Sequence, residues 1–330
     1  MIKTLNVLRR KGRAWKRSAE YPILLPHFSL DEQGLVGPLG EKYPLEPELR
    51  EAVRLCDGTR PLADLEVGGK LMELYDEGKI VLWREPLKAR GPEEQVDTII
   101  VSPHPDDAAL SVAHLLLASH GESVMVVDVF SQTAWWRLSD SDGDLDEIQR
   151  VRFAEEQLMA RMASAKLRML GLPEALLRGH ALNNIFSSDP DQRDQDVRQK
   201  LNEAIKKIAA EHSHAHWYLP MTVGGHIDHR ITKEAASCAL KEAGVRSVCF
   251  YEELFYAAEA ATPLTGGEQK PVDLKWKLEL CRVYWSQFTA GRLKLLENYA
   301  TRIGQRKPVE RIWPTAPAGM TDGSSGASPG

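Results

Sequence analysis

From residue 97 onward, short apolar runs alternate with stretches of helical periodicity, and this alternation constrains the fold more than anything else in the chain. Ile99-Ile100-Val101 ends a strand of apolar residues. A helical pattern follows from Asp107 to Ser119, with Leu110, Ala113 and Leu117 on one side. Val124-Met125-Val126-Val127-Asp128-Val129 is a second apolar strand, and residues 146–170 form a long helical pattern. Trp217-Tyr218-Leu219-Pro220 and Val245 to Tyr251 are further strands, with a helix from Ile231 to Ala243 between them. Strands without a polar face are buried on both faces, and strands joined by helical crossovers run parallel. The pattern predicts an α/β domain over residues 97–315. Ligands of such sheets bind beyond the carboxyl ends of the strands, so the residues just past each strand are the ones to read for chemistry.

Two strand ends carry unusual polar runs. His104-Pro105-Asp106-Asp107 stands between the first apolar strand and its helix. Two adjacent carboxylates buried there need a partner for their charge. Zinc supplies one, since it takes imidazole nitrogen and carboxylate oxygen, with three protein ligands and a water at catalytic sites. The competing reading makes Asp106 a helix cap that satisfies free N–H groups. Gly224-Gly225-His226-Ile227-Asp228-His229 follows the strand that ends at Pro220. Its histidines are three apart, on neighbouring faces at a helix start. Asp228 could accept an imidazole N–H and fix a tautomer, and the two glycines permit close approach of backbone to ligand. The alternative is a polar loop.

This pair of motifs resembles the signatures of the PIG-L/LmbE family of zinc-dependent de-N-acetylases, H-P-D-D and H-x-D-H. Supporting matches are Arg152-x-x-Glu155, Leu170-Gly171-Leu172-Pro173, Tyr251 to Ala257 and Tyr284-Trp285-Ser286-Gln287. The resemblance implies that His104, Asp107 and His229 bind Zn2+. It makes Asp106 the general base on a zinc-activated water, and His226, oriented by Asp228, the stabiliser of the oxyanion or proton donor to the leaving amine. It gives Arg152 a substrate contact. The implied fold is a Rossmann-like, mostly parallel sheet with helices on both faces. The implied activity removes an N-acetyl or other N-acyl group from an amino sugar or related metabolite in a biosynthetic pathway. Three departures touch the pocket rather than the ligands: Ala108 in place of a usual Glu, Val112-Ala113 in place of glycines, and Gly224 where some relatives have tyrosine.

Residues 21–84 read as a separate, small α+β unit. Ile23-Leu24-Leu25 is a strand, helical patterns span Glu46 to Leu55 and Gly68 to Glu77, and Ile80-Val81-Leu82-Trp83 closes the unit. The stretches Leu55 to Pro61 and Leu71 to Val81 resemble PqqD-like domains, small winged-helix units. That resemblance implies an exposed sheet edge able to take a precursor peptide or a carrier protein as an added strand; a packing or dimerisation module is the alternative. Residues 1–20 form a basic arm, 85–96 a Pro/Gly linker, and 316–330 a small, polar tail expected to be disordered.

Composition narrows the rest. A net charge of −5 gives no global case for nucleic-acid binding. No apolar run reaches the ~18 residues of a membrane span, and the basic N-terminus lacks the apolar core of a secretory signal. Cys56, Cys238, Cys249 and Cys281 form no C-x-x-C pair and read as buried free thiols. Together these predict a cytoplasmic protein. The acidic run Asp140 to Glu147 fails as a calcium loop, because Leu145 and Val151 stand where Gly and Glu are required. It reads instead as a loop capping the next helix. Trp135 and Trp136 could wall a pocket or pack in the core. Three readings stay open: a deacylase of a free metabolite, a deacylase of a substrate tethered to a peptide or carrier, and a binding or scaffold protein that keeps the fold without catalysis.

Overall fold

The computed structural model describes residues 19–87, 95–118, 123–137, 144–187, 189–260 and 264–314. The basic arm up to residue 18, residues 88–94 of the linker, Asp140 to Gly143 of the acidic run and the tail 316–330 lie outside these. The chain divides into two compact units, Met1–Ala89 and Arg90–Gly330.

The first unit is α+β. Strand β1 (Tyr21–Leu24) pairs antiparallel with β5 (Ile80–Trp83), while β2 (Ser29–Leu30), β3 (Gly34–Val36) and β4 (Lys42–Pro44) form a second antiparallel sheet. Helices α1 (Pro47–Arg54) and α2 (Gly68–Asp76) lie where the apolar periodicity puts them, with Leu49, Val53, Leu71 and Leu74 buried. Gly58, just past α1, adopts φ +80°, a backbone that favours glycine.

The second unit is built on a 7-stranded sheet. In chain order its elements are β6 (Thr98–Ser102), α3 (Asp107–Ser111), α4 (Ala113–Ala118), β7 (Val124–Asp128), α5 (Leu145–Met162), β8 (Lys166–Met169), α6 (Gln195–Glu211) and β9 (His216–Pro220). There follow α7 (Ile227–Glu242), β10 (Val248–Tyr251), α8 (Tyr256–Glu259), β11 (Glu268–Pro271), α9 (Leu274–Arg282), α10 (Ala290–Ile303) and β12 (Val309–Trp313). The spatial order is β11-β12-β10-β9-β6-β7-β8, with β8, β7, β6, β9 and β10 parallel and β12 antiparallel to both its neighbours. Ile99, Val101, Met125, Val127, Trp217 and Leu219 join one apolar core with α6 and α7. Ile100 and Val126, which alternate with them, are equally buried, so both faces of the sheet are covered. Asp144 caps α5 by accepting the Asp146 N–H at 3.0 Å, as the acidic run predicts.

Two helical patterns are broken. The pattern over 146–170 ends at Met162, because Ser164 adopts φ +54° and Lys166–Met169 pairs with β7 as an edge strand. The pattern from Asp107 splits at Val112 into α3 and α4. The Ala113 and His114 N–H groups donate to the Glu310 carboxylate at 3.1 and 2.8 Å. Glu310 lies on β12 and is also paired with the fully buried Lys277 of α9 and with His114.

Candidate metal centre and active site

The strand order sets the location. From β6 the chain moves outward through β7 to β8, then returns to place β9 on the other side of β6. A crevice opens at the carboxyl ends of two strands where connections diverge in this way. His104 to Asp107 leave β6, and His226 to His229 leave β9, so both motifs flank that point.

Asp106 is not a helix cap. It adopts φ 115° and ψ −32°, and its side chain makes no capping bond. Such a backbone costs about 1–3 kcal/mol and persists at sites that need it. Its carboxylate instead faces Arg152, whose two terminal nitrogens lie 3.2 and 3.3 Å from Oδ2. Burial pushes the Asp106 carboxyl up, opposed by this guanidinium. The adjacent Asp107 turns the other way. Its Oδ2 accepts the His104 backbone N–H at 3.0 Å and lies 3.5 Å from His104 Nδ1 and 3.4 Å from His229 Nε2. Against burial, His229 and His104 hold Asp107 below the usual carboxylate range.

Ligand atoms of His104, Asp107 and His229 all lie within 4.8 Å of one another. His229 is fully buried, and its Nδ1 faces Glu253 Oε1 at 3.1 Å. A carboxylate there accepts a hydrogen bond from Nδ1–H, the tautomer whose lone pair lies on Nε2, and Nε2 has no hydrogen-bond partner. His104 repeats the arrangement, its Nε2 lying 3.0 Å from Asp228 Oδ2 with Nδ1 turned toward Asp107. Burial disfavours a charged His104, yet hydrogen bonds to Asp107 and Asp228 push its pKa up to about 10. The pocket therefore calls for positive charge. An orphaned buried nitrogen, a second imidazole and an ionised carboxylate fit a divalent cation such as zinc.

Two expectations are corrected. Asp228 does not orient His226 through its carboxylate. That group holds His104 and accepts the Ala175 N–H at 3.0 Å and Arg178 at 2.7 Å. Only the Asp228 backbone N–H reaches His226, at Nδ1, 3.2 Å away. The same bond leaves the proton of a neutral His226 on Nε2, and burial, with His104 and His229 nearby, holds this imidazole neutral. Nor does Arg152 stand free for a substrate. It is 3% exposed, and besides Asp106 it donates to the Pro105 carbonyl at 2.6 Å. A guanidinium so buried is held by the partners that offset its desolvation.

The supporting motif matches meet in space. Ser286 donates its N–H and hydroxyl to Glu155 at 2.8 and 2.6 Å, and Tyr284 donates to Glu156 at 2.6 Å. Burial, opposed by Arg152, pushes Glu155 up to about 7. Trp136 packs in the core with Ile148 and Val151, while Trp135 is half-buried. Cys56 and Cys281 are buried free thiols, but Cys238 on α7 is exposed. Glu253 and Arg178 lie outside the two motifs yet hold His229 and Asp228. Glu253 sits inside the Tyr251 to Ala257 match and could have been singled out there; Arg178 carries no local signal.

Comparisons with known proteins concern the second unit. Residues 99–240 match the model of the PIG-L family, described as GlcNAc-PI de-N-acetylase. A 2'-N-acetylparomamine deacetylase of Streptomyces fradiae is 33% identical over 167 residues, 49% of this chain and 58% of that protein, so the chain spans less than two thirds of that relative. The zinc-inhibited form of teicoplanin deacetylase Orf2 superposes with a TM-score of 0.55 at 20% identity, over 66% of this chain and 97% of that one. The A40926 pseudoaglycone deacetylase Dbv21 gives 0.54 at 21% identity, over 67% and 97%. At such identities the structures speak for the fold. The second unit is thus similar to the PIG-L family over residues 99–240 and shares its fold with solved deacetylase structures.

Proposed function

We propose that the second unit is a zinc-dependent N-deacetylase that removes an acetyl group from an amino sugar or related metabolite in a biosynthetic pathway. The observation that carries this reading is the convergence of His104 Nδ1, Asp107 Oδ2 and the orphaned His229 Nε2 beside Asp106. These three residues would hold the metal. A bound zinc ion supplies polarisation of the acyl oxygen and acidifies water.

The chain's own groups do the rest. Asp106, ionised and held by Arg152, takes a proton from the attacking water. A lone pair of the water oxygen forms a bond to the acyl carbon, and the π pair of the C=O bond moves onto the carbonyl oxygen. His226 Nε2–H donates a hydrogen bond to that oxyanion. Protonated Asp106 then gives its proton to the amide nitrogen, the oxyanion's pair re-forms the carbonyl as the C–N bond breaks, and acetic acid and the amine leave, the acid then ionising to acetate. Asp228 and Glu253 act as positioning residues on His104 and His229. The 2'-N-acetylparomamine deacetylase among the relatives favours an amino-sugar substrate.

For the first unit we keep the PqqD-like reading as a proposal, with its edge strands taking a peptide or carrier that presents a tethered substrate. No helix among the described residues is long and apolar enough to cross a membrane.

The test pairs metal analysis with turnover. The purified chain should hold about one zinc per molecule, and Asp106→Asn should keep it while losing about 10²–10⁴-fold in kcat. Loss of zinc in that variant would put Asp106 among the ligands. A correctly folded chain that binds no metal would leave only the scaffold reading.

A further inference from the structure

Beside the candidate centre stands a large apolar ring that the proposed reaction does not use. Phe186 is 46% exposed, although its ring lies edge-on to His226, with centroids 5.2 Å apart and planes at 81°. It also meets Tyr256 at 5.6 Å, and Tyr256 in turn stacks beside His226 at 6.3 Å and 29°. The arrangement is anchored on both sides. Ile185, buried in the core, accepts the Ile227 N–H at 2.8 Å, which ties the Phe186 turn to the second metal motif. A Cβ on Gly225 would lie 3.2 Å from the Phe186 carbonyl, and one on Gly224 would lie 2.9 Å from Tyr256 Cβ. The paired glycines thus let two aromatic residues close over His226.

We propose that Phe186, backed by Tyr256, is a specificity-determining platform for the amine-bearing pyranose ring of the substrate. This rests on the N-deacetylase reading and deepens it. In a planar trans amide the carbon on nitrogen lies on the same side as the carbonyl oxygen. A carbonyl oxygen facing His226 Nε2–H therefore brings the sugar carbon to the His226 side, where Phe186 offers its exposed surface. The C–H bonds of a pyranose face carry slight positive charge and pack against the negative face of an aromatic ring. An open chain presents no such flat apolar face.

The experiment compares N-acetylglucosamine with its open-chain alditol, N-acetylglucosaminitol, which keeps the acetamide and the hydroxyls but lacks the ring. Phe186→Ala should raise KM for the ring compound about five- to tenfold and leave kcat and the alditol unchanged; Phe186→Trp should restore it. The Phe186→Trp protein supplies a readout that needs no turnover: glucosamine, but not glucosaminitol, should shift its fluorescence beyond any change in the wild type. A fluorescence response without deacetylation by any metal-loaded form would sink the reaction and keep the platform. Deacetylation that Phe186→Ala leaves intact, equal losses on ring and chain, or no response to either amine would overturn the platform.

Discussion

Asp228 shows how much one carboxylate can carry. It binds His104, the Ala175 backbone and Arg178 while fully buried, and Arg178 is itself held by Asp194 at 2.8 Å. Support of this kind for a metal-binding imidazole is worth about 10–100-fold in metal affinity. Asp228→Asn should therefore weaken zinc binding by about that factor, measured by competition with a chelator. Had Asp228 served His226 instead, zinc affinity would stay put and only turnover would fall. The candidate ligands were legible in the sequence because H-P-D-D and H-x-D-H are local spellings. The partners were not. Arg152 meets Asp106 across 46 residues, and His104 meets Asp228 across 124. Which carboxylate serves which imidazole depends on the packing between them.

At the scale of elements, β7 and α5 bring two acids together in the core. Asp128 and Glu156 are both fully buried, side by side. Burial pushes both pKa values up, reinforced at Asp128 by Glu156 and at Glu156 by the charge of Asp106. An acid with a raised folded pKa keeps its proton where the unfolded chain has lost it. Stability therefore falls as pH rises from the ordinary carboxylate range toward the raised folded pKa, about 7 for Glu156. Glu156→Gln should flatten that decline. At pH 8 it should raise Tm by about 2–4 °C, the shift that ~1 kcal/mol produces in a domain of this size; a decline of unchanged slope would refute the assignment. The strands and most helices followed from apolar periodicity. The breaks at Val112 and Ser164 did not, since one is made by a glutamate 196 residues later and the other by a single left-handed backbone.

At the scale of the molecule, the division into two units makes a further prediction. Removing residues 1–89 should leave zinc content and activity on a free N-acetyl amino sugar within about twofold of the full chain, on the view that separate cores fold separately. If the first unit docks a carrier, activity on a carrier-linked substrate should drop sharply; equal losses on both substrates would argue against docking. The parallel core of the sheet was legible from its apolar strands, whereas β11 and β12 were not, because charged Glu268, Lys270, Glu310 and Arg311 mask them as sheet elements. That last strand has a consequence in time. Glu310 closes the helix break just after the first metal motif, so the metal pocket waits for a residue made about 200 positions later. At roughly 5–20 residues per second of synthesis, a nascent chain holds H-P-D-D for about 10–40 seconds before this brace exists. During that interval its exposed acids and imidazole are open to whatever ion the surroundings offer, so selection of the right metal falls to the finished fold.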